Sequence, residues 1–354
     1  MMTSAITPDK LSVLDGMLCA AARVCIVTHF HPDGDAMGGS AALKHYLASR
    51  GKEATIVIPS AASRTLDFIA VPGTVTADSD PAGALAAISG ADLIIAHDFN
   101  DFRRTESLSG PLSSSKVRKV LIDHHLNPSV SDFDLVFSET EVSSASELLY
   151  WILLGMPGVG GSASGLPQAC LTPLLTGMTT DTNNFANSVF PSTLMMASGL
   201  LEAGADRDLV LDNIYCSYGE NRIRLMGYLM GEVLRITPEG VAYIIIDNDI
   251  AERFGICEGD TEGFVNMPLA IARVRMSILL REDGDHFRVS IRSKSGISAN
   301  ALAQESFHGG GHTLAAGGRL FLPGDIAAKQ DAASYIENVT ARFMQNPQAA
   351  KTER

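Results

Sequence analysis

The chain has 354 residues, with 27 Lys and Arg against 40 Asp and Glu and a formal net charge of −13. At a prior of ~150 residues per domain, this leaves room for two cores and excludes a peptide-sized or disulfide-stapled scaffold. The acidic balance excludes a broad basic stripe for long duplex nucleic acid, and 46% hydrophobic with 19% charged residues excludes disorder.

Short β-branched runs alternate with amphipathic stretches in the first half. Residues 24–28, 55–58, 93–96 and 117–122 predict strands, and 36–50 predicts a helix after the first of them. Such alternation predicts an α/β fold with a parallel sheet covered on both faces, whose chemistry gathers beyond the carboxyl ends of the strands. The Gly- and Ser-rich stretch 155–165 predicts a mobile surface loop without a function of its own. Helical patterns follow over 192–203 and 206–215, and a connecting helix is expected over 217–235. From 241 onward the pattern is strand-rich again, with Asp283-Gly284-Asp285 as a hairpin turn. The expected organisation is a catalytic domain over 1–215, a linker helix over 216–236, and a smaller mixed α/β domain over 237–345. Cys19, Cys25, Cys170, Cys216 and Cys257 form no C-x-x-C pair, which predicts reduced thiols in a cytoplasmic protein. No apolar run reaches the ~18 residues of a membrane span, so no membrane partner is expected.

The residues just beyond the strands are polar and titratable. The first run ends in Thr28-His29-Phe30-His31-Pro32-Asp33-Gly34-Asp35, the third in His97-Asp98-Phe99-Asn100 and the fourth in Asp123-His124-His125. Three strands are thus expected to deliver His and Asp to one edge. A fourth group, Thr179-Thr180-Asp181-Thr182, follows an apolar helix and taken alone reads as a helix cap. Nitrogen and oxygen donors without thiolate favour manganese, magnesium or cobalt, and several carboxylates suit two ions. Like-charged carboxylates brought together need compensating cations. No G-x-S-x-G elbow or P-loop is present to argue for another chemistry.

Taken in order, these four segments resemble the DHH phosphoesterase superfamily, which includes exonucleases, short-oligoribonucleotide nucleases, cyclic-dinucleotide phosphodiesterases and pyrophosphatases. The resemblance implies a site for two divalent metal ions, manganese foremost. His29 and Asp33 would hold one ion, Asp35, His124 and Asp181 the other, and Asp98 would bridge them. His125 would face the substrate phosphate, and Asp123 would orient an imidazole from behind. His31 and Asn183 depart from the commoner pattern, where asparagine and glycine are frequent.

In the second half, Phe307-His308-Gly309-Gly310-Gly311-His312 offers backbone N–H groups that can wrap an anion. With Val289-Ser290-Ile291-Arg292-Ser293 before it, this segment resembles the DHH-associated domain of the nuclease and phosphodiesterase branches. By that resemblance Arg292, Ser293 and His312 contact the substrate's terminal phosphate or nucleotide, and Gly310 and Gly311 permit close approach. The stretch 271–320 is net basic, and Arg103 and Arg104 are weaker candidates for phosphate contact.

The expected activity is hydrolysis of short 5′-phosphorylated oligoribonucleotides such as pApA to nucleoside 5′-monophosphates, and of adenosine 3′,5′-bisphosphate to AMP. The alternative is a cyclic di-AMP phosphodiesterase. An inorganic pyrophosphatase or polyphosphatase and a non-catalytic nucleotide sensor rank below it. Expected partners are short oligoribonucleotides or small phosphorylated nucleotides, and by resemblance alone a second copy in a homodimer.

Overall fold

The computed structural model describes residues 5–257 and 259–345, so the first four residues of the expected N-terminal domain lie outside it. The chain divides into two units between Ser217 and Tyr218.

In the first unit, strands β1 (Arg23–Val27), β2 (Glu53–Ile58), β3 (Val75–Thr76), β4 (Leu93–His97), β5 (Arg118–Asp123) and β6 (Leu135–Ser138) form a parallel sheet in the order β3-β2-β1-β4-β5-β6. Buried, near-continuous apolar runs such as Leu-Ile-Ile-Ala in β4 mark strands covered on both faces. Successive residues serve opposite cores: Val24, Ile26, Leu93 and Ile95 pack on one side, Cys25, Val27, Ile94 and Ala96 on the other. The register pairs Val27 with Ala96 and His97 with Ile122, so the carboxyl ends of β1, β4 and β5 lie side by side.

Helices α1 (Pro8–Ala20), α2 (Gly34–Ser49), α3 (Pro81–Gly90), α4 (Ser109–Ser114), α5 (Ala145–Leu154), α6 (Gln168–Asp181), α7 (Pro191–Glu202) and α8 (Arg207–Tyr215) complete this unit. Thr7 caps α1 with its side chain, and Pro8 takes the first-turn position where a missing N–H costs nothing. This helix escaped the sequence reading, as did β6. The stretch 155–165 differs from the loop expected there. Met156, Val159 and Ala163 are buried in the larger core, which ties the segment down, while Gly158, Gly160 and Gly161 supply its left-handed turns. On α7, Met196 packs inside while Met195 stays exposed.

In the second unit, α9 (Glu220–Tyr228) continues as a π-helical turn, Leu229–Val233, and then enters a strand. The connecting helix expected over 217–235 therefore ends early. Strands β7 (Arg235–Ile236), β8 (Val241–Ile246), β9 (Met276–Asp283), β10 (His286–Ser293), β11 (Gly310–Gly311) and β12 (Ala315–Phe321) form a mixed sheet in the order β11-β12-β10-β9-β8-β7, with β8 and β9 parallel. Gly284, at φ 65°, supplies the two-residue turn between β9 and β10. Helix α10 (Asn248–Phe254) follows β8, whereas α11 (Ala299–Ser306) and α12 (Ala332–Gln345) cover one sheet face. Alternation again splits the strands: Ile278 and Leu280 face α11 and α12, while Leu279 joins Leu225 of α9. Among the described residues, no helix is long and apolar enough to cross a membrane.

Candidate metal centre

Each of β1, β4 and β5 ends in a turn that carries titratable side chains. After β1, the buried His29 donates from Nδ1 to the Phe30 carbonyl at 2.8 Å. That bond fixes the ring and turns Nε2 toward carboxylates, 3.5 Å from Asp98 Oδ2 and 3.9 Å from Asp33 Oδ1. Asp33 caps α2, its Oδ1 accepting from the N–H groups of Asp35 and Ala36. Capping occupies only one of its oxygens, so helix cap and cation ligand are compatible roles.

After β4, Asp98 takes a left-handed φ of 65°, strain of the kind that collects at functional sites. The turn stands its buried carboxylate between two imidazoles, Oδ2 toward His29 and Oδ1 3.5 Å from His124 Nε2. After β5, His124 Nε2 also lies 3.3 Å from Asp181 Oδ2, at the end of α6, and 4.0 Å from Asp35 Oδ2. His125 Nδ1 lies 2.7 Å from Asp123 Oδ1, so the imidazole that Asp123 orients is that of His125.

Three donor groups, each with ligand atoms within 4.8 Å of one another, result: His29, Asp33 and Asp98; Asp35, His124 and Asp181; and Asp98, His124 and His125. Electrostatics shows what the groups lack. Against burial, which lowers it, the carboxylates of Asp33 and Asp98 raise His29 to about 10. Against the same burial, Asp98 and then Asp181 raise His124 to about 10. Burial, followed by the charge of Asp98, pushes Asp35 up to about 7. Protons thus balance carboxylates that cations would otherwise balance. Asp98 Oδ1 is buried without a hydrogen-bond partner, and an orphaned carboxylate oxygen among nitrogen and oxygen donors fits a divalent cation.

One expectation fails here. His97 does not join the edge: it is fully buried with neither ring nitrogen hydrogen-bonded, and it packs against Gly39 of α2. As the last residue of β4 it points into the α2 layer, opposite to Asp98. Arg103 is committed as well, paired with Asp101 at 2.8 Å. The departures at His31 and Asn183 have a backbone reason, since both adopt left-handed φ, 56° and 47°, where Asn and His are among the tolerated residue types.

The sequence reading also missed how Asp35 is held. Its Oδ2 accepts from Ala145 N at 2.6 Å and its Oδ1 from Ser146 N at 2.8 Å, the first N–H groups of α5. The signal was readable as Ser144-x-x-Glu147, a capping box that announces a helix N-terminus.

In the second unit, Arg292 projects from β10. Its guanidinium donates to the Ile291 carbonyl at 2.9 Å and to no carboxylate among the described residues, and burial lowers its pKa. Gly310 and Gly311 pair with Gly317 and Ala316, and His312 begins the exposed turn that returns to Ala315. Ser293 is buried, and its hydroxyl donates to the Ile297 carbonyl at 2.7 Å, holding the turn beside Arg292. Asn300, unremarked in the sequence, places a buried, unbonded Oδ1 next to Gly310.

The fold and this centre define a two-unit α/β protein with paired imidazole–carboxylate groups at a parallel sheet edge. Residues 23–178 match the DHH family, N-terminal domain, and residues 240–338 match the DHHA1 domain. The chain is 32% identical over 302 residues to the bifunctional oligoribonuclease and PAP phosphatase NrnA of Thermus thermophilus, covering 84% of each chain. It is 28% identical to the probable bifunctional oligoribonuclease and PAP phosphatase NrnA of Streptococcus mutans, covering 89% of this chain and 94% of the relative. A solved structure, an exopolyphosphatase-related protein from Bacteroides fragilis, superposes with a TM-score of 0.89 at 32% identity, covering 97% and 98% of the two chains. The chain belongs to the DHH family.

Proposed function

We propose that the protein is a metal-dependent phosphoesterase that hydrolyses short 5′-phosphorylated oligoribonucleotides to nucleoside 5′-monophosphates and adenosine 3′,5′-bisphosphate to AMP. The observation that carries the chemistry is Asp98, whose two oxygens face His29 and His124 and so belong to two donor groups at once. His29 and Asp33 would hold one divalent ion, Asp35, His124 and Asp181 a second, and Asp98 both, with manganese the proposed metal. Bound there, such ions supply Lewis-acid polarisation of a phosphate ester and acidify a water for attack at phosphorus.

The remaining roles belong to the chain itself. Asp123 holds His125 through Nδ1, so His125 meets a non-bridging phosphate oxygen through Nε2 and offsets charge that grows during attack. Arg292 takes an anionic group of the substrate. A guanidinium buried without a carboxylate gains most from an incoming phosphate. Gly310, Gly311 and His312 shape the adjoining backbone, and Ser293 keeps the turn beneath Arg292 in place. Substrate class is supported by the names of the relatives above, which cover most of this chain.

The test is turnover by the purified protein with manganese on pApA, adenosine 3′,5′-bisphosphate, cyclic di-AMP and pyrophosphate, read by chromatography. AMP release from the first two is expected. Preference for cyclic di-AMP or pyrophosphate would overturn the substrate assignment, and metal binding without turnover of any substrate would overturn the enzymatic reading in favour of a nucleotide sensor.

A further inference from the structure

Behind the donor group formed by Asp35, His124 and Asp181 lies a buried carboxylate that the chemistry above does not use. Glu147, on the first turn of α5, is fully buried, and its carboxylate accepts four hydrogen bonds. Its Oε2 takes Ser143 N at 2.9 Å, Ser143 Oγ at 2.6 Å and Thr193 Oγ1 at 2.7 Å, and its Oε1 takes Trp151 Nε1 at 3.3 Å. Thr193 Oγ1 in turn accepts from Phe190 N at 3.1 Å, so the same carboxylate fixes the start of α7.

The turn that Glu147 fixes is the one that grips Asp35. Ser144 caps α5 by accepting from Glu147 N at 3.0 Å, and the next two N–H groups hold the two oxygens of Asp35. Ser146 also packs against α6. A Cβ added at Gly177, four residues before Asp181, would lie 2.0 Å from Ser146 Oγ and 2.8 Å from Asp35 Oδ1. One helix start therefore touches the carboxylate of Asp35 directly and the helix that carries Asp181 by contact.

We infer that Glu147 is a positioning residue for the Asp35–His124–Asp181 group, acting through the first turn of α5. A simpler role, stabilising the core, predicts a uniform loss of stability. The positioning role predicts a loss confined to one of two metal equivalents, because His29, Asp33 and the Asp98 turn take no bond from this network.

The inference rests on the metal reading of the site, and a manganese titration of the full chain, followed by the free-ion paramagnetic signal, separates the two. Wild-type protein should bind two equivalents, and Asp35→Asn should identify which of them uses Asp35. Glu147→Ala should weaken that equivalent about tenfold or more, the usual cost of removing a group behind a ligand, and leave the other unchanged. Glu147→Gln, which can still turn an oxygen toward Ser143 and Thr193, should restore most of the loss. Leu200→Ala, a cavity in the same core on α7, should lower the melting temperature without selective metal loss. Unchanged binding in Glu147→Ala, or the same selective loss in Leu200→Ala, would overturn the inference. If Glu147→Ala does not fold, Thr193→Val removes one donor with little change of shape, and unchanged binding there overturns it equally. Wild-type protein that binds no manganese would overturn the metal reading, and this inference with it.

Discussion

The two regions that carry the proposed chemistry are built on opposite principles. The centre of the first unit gathers four carboxylates, Asp33, Asp35, Asp98 and Asp181, around His29 and His124, held by helix N-termini and by a strained turn. In the second unit the half-buried Arg292 is set in strand backbone and, among the described residues, bonds to carbonyls. One region lacks cations and the other lacks an anion. Each region folds on its own core, and each is left short of a counter-charge, of opposite sign in the two.

The first way to break that comparison is Asp98→Ala. If Asp98 serves both donor groups, its loss should lower kcat at least about 10³-fold, the several kcal/mol that such a clamp supplies. Circular dichroism should show the second unit still folded. Manganese-dependent turnover near the wild-type rate would remove Asp98 from the bridging role. Arg292→Ala should act elsewhere, raising KM for pApA by about 10- to 100-fold, as expected for a lost hydrogen bond to a charged group. Manganese affinity should not move. Arg292→Lys should recover little, since a point charge does not reproduce the planar fork. Equal losses of metal affinity in Arg292→Ala would show that the two regions are not separable.

The third test uses protons. Without cations His29 and His124 are raised to about 10, so both carry a proton at neutral pH. A metal that takes Nε2 must displace that proton, and affinity must therefore rise with pH between 7 and 10. The slope should approach about tenfold per pH unit for each proton released. Calorimetry in buffers of different ionisation enthalpy counts those protons directly. An affinity flat across this range would mean that neither imidazole is a ligand.

Much of the first region was legible because parallel sheets bury their strands. Polar residues directly after β1, β4 and β5 had to lie at one edge, and the ligand candidates His29, Asp98 and His124 could be read from that rule. What the rule cannot give is side-chain direction at the strand's last residue. His97 stands in the same run as Asp98 and yet turns into the core. Nor could it give the partner of Asp35, because the N–H groups of Ala145 and Ser146 come from a helix 110 residues away. In the second unit the glycine run marked the location, but the spent hydroxyl of Ser293 and the orphaned side-chain oxygen of Asn300 depend on a turn and a helix that no local pattern specifies.

His97 supplies the smallest test and the one that reaches the underside of the centre. A Cβ at Gly39 would lie 1.9 Å from His97 Nε2, far inside contact distance. Gly39 is thus the space that lets an unsatisfied imidazole end β4 directly before Asp98. Gly39→Ala forces His97 to move, which should cost about 1–3 kcal/mol of stability, the range for overpacking a tight interior. The higher helix propensity of alanine returns less than about 1 kcal/mol of this. If the displaced ring drags the Asp98 turn with it, manganese affinity falls along with the melting temperature, while KM for pApA at saturating metal stays near wild type. A variant that melts earlier yet binds metal unchanged would show that the Asp98 turn is held from the β5 side, through its N–H to the Ile122 carbonyl at 3.0 Å, rather than from the helix beneath.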